Sequence, residues 1–358
     1  LVQGGSNCAR AAFPKKPRQA RKRSAGLDLA DSKTFAAKTL AAKTLAAKTS
    51  AMTGEANDRR LPEGEEIFLD HVGHFVAAVE PASRALERAG FAPTAPSVQL
   101  DARANAAARL TGTGNVTAML AQGYIEVLFQ TADTALGREF GAALARHAGI
   151  HLVAFAVADA ARTRARLSAA GFRMRPLAKM QRPVATASGN AVAAFSVVRV
   201  EPDMMPEGRI QMLTHHTEEA VWQPRWLSHP NTAMALIDVV IAVADVQEAA
   251  MRFARFCGRA AEQINGGAIV RLDRGAVLLV GRDALTNLLP EVPMRALPFT
   301  AGYAIGVQSL ATAAAIVQSA KLQWRAFDGG IVVSFPDELG AGAFFFVESA
   351  AALPWRGS

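Results

Sequence analysis

Two places in this chain carry residue types that could do chemistry. Glu126 stands between Ile125 and Val127 in the run Gly123-Tyr-Ile-Glu126-Val-Leu. A carboxylate in so apolar a setting is costly to bury unless it is paired, protonated or bound to a metal. His71 stands in the apolar run 68–79, which also holds His74. An imidazole there is either a working group or a hydrogen-bonded core side chain. Strand side chains alternate, so residues 71, 73 and 75 share one face and residues 72, 74 and 76 the other. If His71 faces a working cavity, His74 faces the opposite layer. The same parity turns His151 away from the face of Leu152. The doublet His215-His216 reads as a strand end in solvent, with His215 kept as a secondary candidate because it shares a face with Gln211 and Leu213.

The elements that would position these residues repeat along the chain. A β-rich run at 68–79 is followed by a helical run at 81–89 and the turn Gly90-Phe91. The pattern returns at 150–157 with 160–170 and Gly171-Phe172, at 236–243 with 246–256, and more weakly at 303–307 with 310–320. Each unit continues into further strands: 97–100, 115–121 and 124–129 in the first, 191–200 and 209–214 in the second. The third continues with 267–271 and 276–280, and the fourth with 330–334 and 343–348. Several strands per single helix argue for an α+β fold and against a doubly wound sheet. Self-similarity at this spacing marks a repeat architecture. The two prolines of 222–231 suit a connection between two halves.

Composition bounds the rest. The chain has 358 residues, 51% of them hydrophobic, ample for a large core. Cys8 and Cys257 are the only cysteines, too few for a disulfide framework, and predict a reducing, cytoplasmic setting. No apolar run approaches the roughly 20 residues of a membrane span. The net charge of +8 is local: residues 1–60 hold 13 Lys and Arg against 4 Asp and Glu, and the remaining 298 hold 26 against 27. The body therefore gives no case for nucleic acid as a partner. Residues 1–60, with a basic cluster and a tandem Ala-Ala-Lys-Thr-Leu repeat, read as a disordered basic tail or an over-extended start, translation then beginning near Met52. There is no Walker loop, paired CxxC or HExxH, and so no nucleotide cofactor is implied.

Leu69-Asp-His71-Val-Gly, Gly123-Tyr-Ile-Glu126-Val-Leu and Gly149-Ile-His-Leu152-Val-Ala-Phe155 resemble the strand motifs of the vicinal oxygen chelate superfamily. Thr217-Glu-Glu-Ala-Val-Trp-Gln-Pro224 with His229-Pro-Asn231 resembles its glyoxalase-like branch. The resemblance implies four βαβββ modules paired into two lobes, 66–226 and 232–350, the second degenerate. It also implies a divalent metal ion, or none, held by residues from the first and fourth strands of paired modules. By the repeat, the first-strand positions are His71, Leu152, Asp238 and Gly302, and the fourth-strand positions Glu126, Gln211, Leu278 and Phe345. The implied metal ligands are thus His71, Glu126 and Gln211, with Glu126 also the catalytic base. Asp238 is a secondary candidate, and the second lobe reads as a structural copy.

Leu152 stands where a second histidine is expected, which disfavours extradiol oxygen chemistry. Gln211 cannot act as a base, which argues against a true lactoylglutathione lyase. Two functions remain. One is a metal-dependent lyase, isomerase or hydrolase acting on a small oxygen-rich substrate. The other is a non-catalytic protein that sequesters a small molecule, as bleomycin-resistance relatives do.

Overall fold

The computed structural model describes residues 59–101, 109–187 and 189–356. The basic tail expected at 1–60 lies outside the described residues, apart from Arg59 and Arg60. From there the chain runs strand, helix and three strands, four times. The first unit is β1 (Ile67–Phe75), α1 (Val79–Arg88), β2 (Ser97–Asp101), β3 (Arg109–Met119) and β4 (Tyr124–Gln130). A connecting helix α2 (Ala135–Arg146) leads to β5 (Gly149–Val157), α3 (Ala160–Ala169), β6 (Ala178–Thr186), β7 (Gly189–Arg199) and β8 (Arg209–His215). The third unit is β9 (Ala233–Ala242), α4 (Val246–Cys257), β10 (Ala261–Ile264), β11 (Gly267–Arg271) and β12 (Ala276–Val280). After α5 (Arg282–Leu288) come β13 (Phe299–Val307), α6 (Leu310–Ser319), β14 (Trp324–Phe327), β15 (Gly330–Ser334) and β16 (Ala343–Val347).

Local chemistry repeats with the elements. Asp159, Asp245 and Ser309 cap α3, α4 and α6, each side chain accepting from the backbone N–H three residues on. Left-handed residues end the helical segments: Gly90, Gly171 and Gly258, with Lys321 in the fourth unit. A lysine there accepts a conformation that glycine adopts without strain.

Within every unit the first strand pairs in parallel with the last, and the first strands of paired units run antiparallel. The first lobe closes completely, in the order β1-β4-β3-β2-β6-β7-β8-β5 and back to β1. Its narrowest seam is β2 on β6, with Leu100 opposite Gln181 and Asp101 opposite Met180. The second lobe follows the order β10-β11-β12-β9-β13-β16-β15-β14. No pairing joins β10 to β14 among the described residues. The lobes are not separate sheets. Ile150 pairs with Thr300 to join them into a single hydrogen-bonded path, and the bridges Phe68–Arg274, Gln122–Ala235 and Gly149–Ala341 also cross between them.

The largest core lies outside both curls. There Leu69, Val72, Val153 and Phe155 meet Val239, Ile241 and Ile305, and the helices add Leu86, Leu167, Phe253 and Phe256. Complete burial of each such side chain stabilises by roughly 1.5–3 kcal/mol, so this shared layer is a principal source of stability. His74 lies in it, on the face opposite His71. Its Nδ1–H donates to the Leu339 carbonyl (2.9 Å), and its Nε2 accepts from the Tyr303 hydroxyl (2.9 Å). Both ring nitrogens are satisfied by the neutral form. Burial pushes His74 down to about 4, against the opposing pull of the Leu339 carbonyl.

This predicts an acid-dependent stability. Above pH 6.5 the ring is neutral folded or unfolded. Below it the unfolded chain takes up a proton that the native state refuses, so stability falls until about pH 4. At about 1.4 kcal/mol per pH unit the loss reaches about 3 kcal/mol. Urea midpoints between pH 4 and 7 should show a shallower pH slope for His74→Gln than for the wild type. Equal slopes would refute the assignment.

Candidate functional site in the first barrel

The strand registers fix which residues are equivalent. His71 pairs with Tyr124, Leu152 with Arg209, Asp238 with Ala276 and Gly302 with Ala343. Two residues beyond these partners stand Glu126, Gln211, Leu278 and Phe345. The four positions assigned to each set from the sequence therefore occupy matching places in the four units.

In the first barrel, His71, Glu126 and Gln211 line one cavity of about 50 Å³. Gly73, between His71 and Phe75 on the same face, leaves room that a Cβ would take from Leu128 and Leu152, at 2.8 and 2.9 Å. Gln99, Asn115, Arg182, Arg199 and Arg209 complete the polar wall. Glu126 is held by one of its oxygens: Oε1 accepts from Asn115 Nδ2 (2.6 Å) and Gln99 Nε2 (3.1 Å). The other oxygen, Oε2, lies 3.6 Å from His71 Nε2.

Asp70 is the site residue that the sequence reading missed. It occupies a bulge in β1, where the pairing with β5 shifts between Leu69 and His71. Strict alternation places Asp70 opposite His71, and the bulge overrides it. The tight turn Gly123 (φ +76°) approaches this point, a Cβ there coming within 2.7 Å of the Asp70 carbonyl oxygen. The carboxylate accepts from His71 Nδ1 (2.6 Å) and from His215 Nε2 (2.9 Å). Burial opposes ionisation of Asp70, but His215 and His71 outweigh it and hold its carboxyl well below the usual carboxylate range. A carboxylate behind a histidine fixes the ring's orientation and tautomer, here aiming His71 Nε2 at Glu126. The His71 ring also stacks on Tyr124 at 4.3 Å. Burial, with Asp70 and Glu126 nearby, raises the Tyr124 phenol well above its ordinary value and keeps it protonated.

One histidine expectation needs correction. His215 is not at a solvent-exposed strand end; it is buried on Asp70 and edge-on to Trp222. His151 sits where β5 shifts register between its pairings to Gly73 and His74, so simple parity does not place it. Its ring lies 5.2 Å from Phe75, Nε2 meets the His147 carbonyl, and it lines an outer cleft. His229 and Asn231 bind main chain: His229 accepts from Ala92 N–H and donates to the Met119 carbonyl, and Asn231 donates to the Ala89 carbonyl.

In the second lobe the matching hollow is filled. Leu278, Phe345, Leu285 and Val332 pack around Trp355, whose ring meets Phe345 at 5.0 Å. Asp238 is buried there and accepts from Trp355 Nε1 (2.8 Å) and from Arg356 Nε and Nη2 (2.9 and 2.6 Å).

The model of the glyoxalase-like domain matches residues 69–257. The chain belongs to the glyoxalase-like domain family. No match to a curated protein was found. Among solved structures, a hypothetical protein from Staphylococcus aureus aligns with TM-score 0.55 at 9% identity, over 78% of this chain and 98% of that one. A mutant of 4-hydroxymandelate synthase from Streptomyces coelicolor aligns with TM-score 0.50 at 14% identity, over 80% and 94%. The Mn(II)-bound glyoxalase from Novosphingobium aromaticivorans gives TM-score 0.47 at 13% identity, over 80% and 82%. At these identities the likeness to the first two is one of fold, and paired βαβββ units of the vicinal oxygen chelate kind are that fold.

The side chains of this member do not fit a divalent cation. Among the described residues no group of three or more His, Cys, Asp and Glu side chains is arranged to hold a metal ion. His71 and Gln211 stand on strands separated by β5, with Ala154 in line between them. Gln211 Oε1 already accepts from Arg199 Nε (3.2 Å). Leu152 lines the cavity without a donor atom, and three guanidinium groups border it. Extra positive charge there would be repelled.

Asp238→Ala should cost about 3 kcal/mol, because it leaves a guanidinium and an indole N–H without their buried acceptor. Ligand binding in the first barrel should be unchanged. The urea midpoint checks the first point. A midpoint equal to the wild type would show that the Asp238 cluster contributes nothing.

Proposed function

We propose that this protein is an acid–base enzyme, a lyase or isomerase, acting on a small oxygen-rich molecule in the first barrel without a divalent metal. One observation carries this reading: Glu126 is fixed through Oε1 by two amides, while Oε2 is aimed into the cavity beside a histidine braced by Asp70. A carboxylate so placed is positioned to accept a proton. Glu126 Oε2 takes the proton from a carbon next to a carbonyl, and the electron pair moves onto the carbonyl oxygen. Arg182, which burial pushes below its ordinary value against the opposing pull of Glu126, lies in the cavity wall to balance that developing charge. Where that carbon bears a hydroxyl, return of the proton to the former carbonyl carbon, with the hydroxyl proton passing to the former carbonyl oxygen as the new carbonyl forms, gives an isomer. Where a β-substituent is present, the carbonyl re-forms and the substituent leaves with its bonding pair, giving a lyase product. Asp70 and His215 touch neither the carbon nor the oxygen; they position His71.

The metal-dependent form of this reading has less support, because the donor set above is short of a shell and Arg199 caps its third member. Sequestration without chemistry is favoured by one feature, the apolar half of the cavity formed by Leu128, Leu152, Phe195, Val197 and Leu213.

Proton abstraction can be read before the natural substrate is known. In D₂O, a panel of small 2-hydroxy ketones and carboxylate-bearing analogues should include members whose C–H exchanges for C–D in the presence of the protein, followed by proton NMR. Glu126→Gln should slow that exchange at least about 100-fold while binding persists. Prior treatment with a chelator should leave the rate unchanged. Exchange that survives Glu126→Gln removes the base assignment, and loss on chelation restores the metal. Binding without exchange across the panel favours sequestration.

A further inference from the structure

Arg199 ends β7 and Arg209 begins β8, and both side chains line the inner cavity. Both also line a larger cleft of about 550 Å³ outside the barrel, bounded by Phe75, Glu139, Arg146, His151, residues 200–203 and residues 205, 206, 208 and 210. The two guanidiniums thus stand in the wall between a small reacting chamber and a cleft roomy enough for most of a small ligand.

Neither guanidinium has a carboxylate partner among the described residues. Arg199 donates to neutral acceptors only, Gln211 Oε1 (3.2 Å) and Met180 Sδ (3.3 Å). Arg209 lies over the Phe75 ring, 5.1 Å from its centre. The nearby carboxylates are already engaged. Glu139 receives both arms of Arg175 (2.9 and 3.1 Å), which also reaches Glu201 (3.3 Å). Asp203 pairs with Arg173, and Glu126 is held by Asn115 and Gln99. Two adjacent, half-buried like charges with no directly paired carboxylate destabilise the fold that holds them. Burial, and for Arg199 the charge of Arg209, pushes the pair down to about 9 and about 10. Guanidinium forks are suited to receive an oxyanion along two parallel hydrogen bonds.

We infer that Arg199 and Arg209 form the seat for an oxyanion, a carboxylate or a phosphate, carried by the molecule whose other end reaches Glu126, and that the outer cleft holds the remainder of that molecule. This rests on the acid–base reading of the barrel and names its substrate class: a small organic anion. The seat stands where Gln211 and its neighbours would face a metal, so it supplies positive charge by guanidinium.

The test uses the full chain and measures melting temperature and calorimetric binding at constant ionic strength. The probes are inorganic phosphate, acetate and neutral acetamide. Phosphate or acetate should raise the melting temperature, and whichever does so better identifies the anion; acetamide should not. Arg199→Met and Arg209→Met should each melt higher than wild type without anion, because one of two repelling charges is gone. Each should also bind the preferred anion at least tenfold more weakly. Should a methionine variant fail to fold, Arg199→Lys and Arg209→Lys keep the charge but lose the fork, and should retain a response weakened several-fold. Absence of any anion response in wild type overturns the inference, as does an undiminished response in the variants. Glu126→Gln should keep the anion response. Anion binding lost with deuterium exchange intact overturns the seat alone, and exchange absent with anion binding intact overturns the base alone.

Discussion

The first barrel is organised around one buried carboxylate. Asp70 has no contact with solvent, and an isolated charge in such a place would be prohibitively costly. It is tolerated because His71 and His215 meet its two oxygens from two different strands, β1 and β8. That requirement ties the first module to the second across the barrel. It also sets the direction of His71, and through His71 the surroundings of the free oxygen of Glu126. The bulge in β1 is the backbone feature that makes this arrangement available, because an unbroken strand would have turned Asp70 into the apolar layer beside Val72 and His74.

The same strand serves a second set of contacts. Three residues after His71, His74 reaches out of the barrel to the Tyr303 hydroxyl and the Leu339 carbonyl of the second lobe. The site and the junction between lobes therefore share nine residues of backbone. A second tie is Arg252 of α4, which binds the buried carboxylate of Glu207 through both nitrogens (2.7 and 2.8 Å) next to the outer cleft.

Much of this was legible in the residues. Period-two runs, helix caps and small turn residues marked the four units, and the match of Gly123-Tyr-Ile-Glu126 to a fourth strand located the carboxylate in the cavity. The strands that escaped notice were short or polar: Ala261–Ile264, Trp324–Phe327, and β6 with Pro183 in its middle. Asp70 escaped because parity assumes an unbroken ladder, and a bulge leaves no mark in Leu69-Asp-His71. His215 was misjudged because its partner lies 145 residues away in sequence. The arginines were invisible as a group, since Arg182, Arg199 and Arg209 are scattered over three strands and converge only when the barrel closes.

The filled hollow of the second lobe bears on how the two halves can diverge. Inside it, apart from the Asp238 carboxylate that takes the Trp355 Nε1–H, the rings of Trp355 and Phe345 need only apolar neighbours of suitable volume, so many sequences can satisfy it. Its outer surface is held more strictly, by a hydroxyl at Tyr303 and a main-chain carbonyl at Leu339 that a histidine of the other half must find. The first lobe reverses this: its interior polar side chains answer to one another individually, while much of its outer layer asks only for bulk. Sequence drift after duplication is therefore expected to erase resemblance between the halves fastest on their inner faces and slowest along the junction, where each half remains the template for the other.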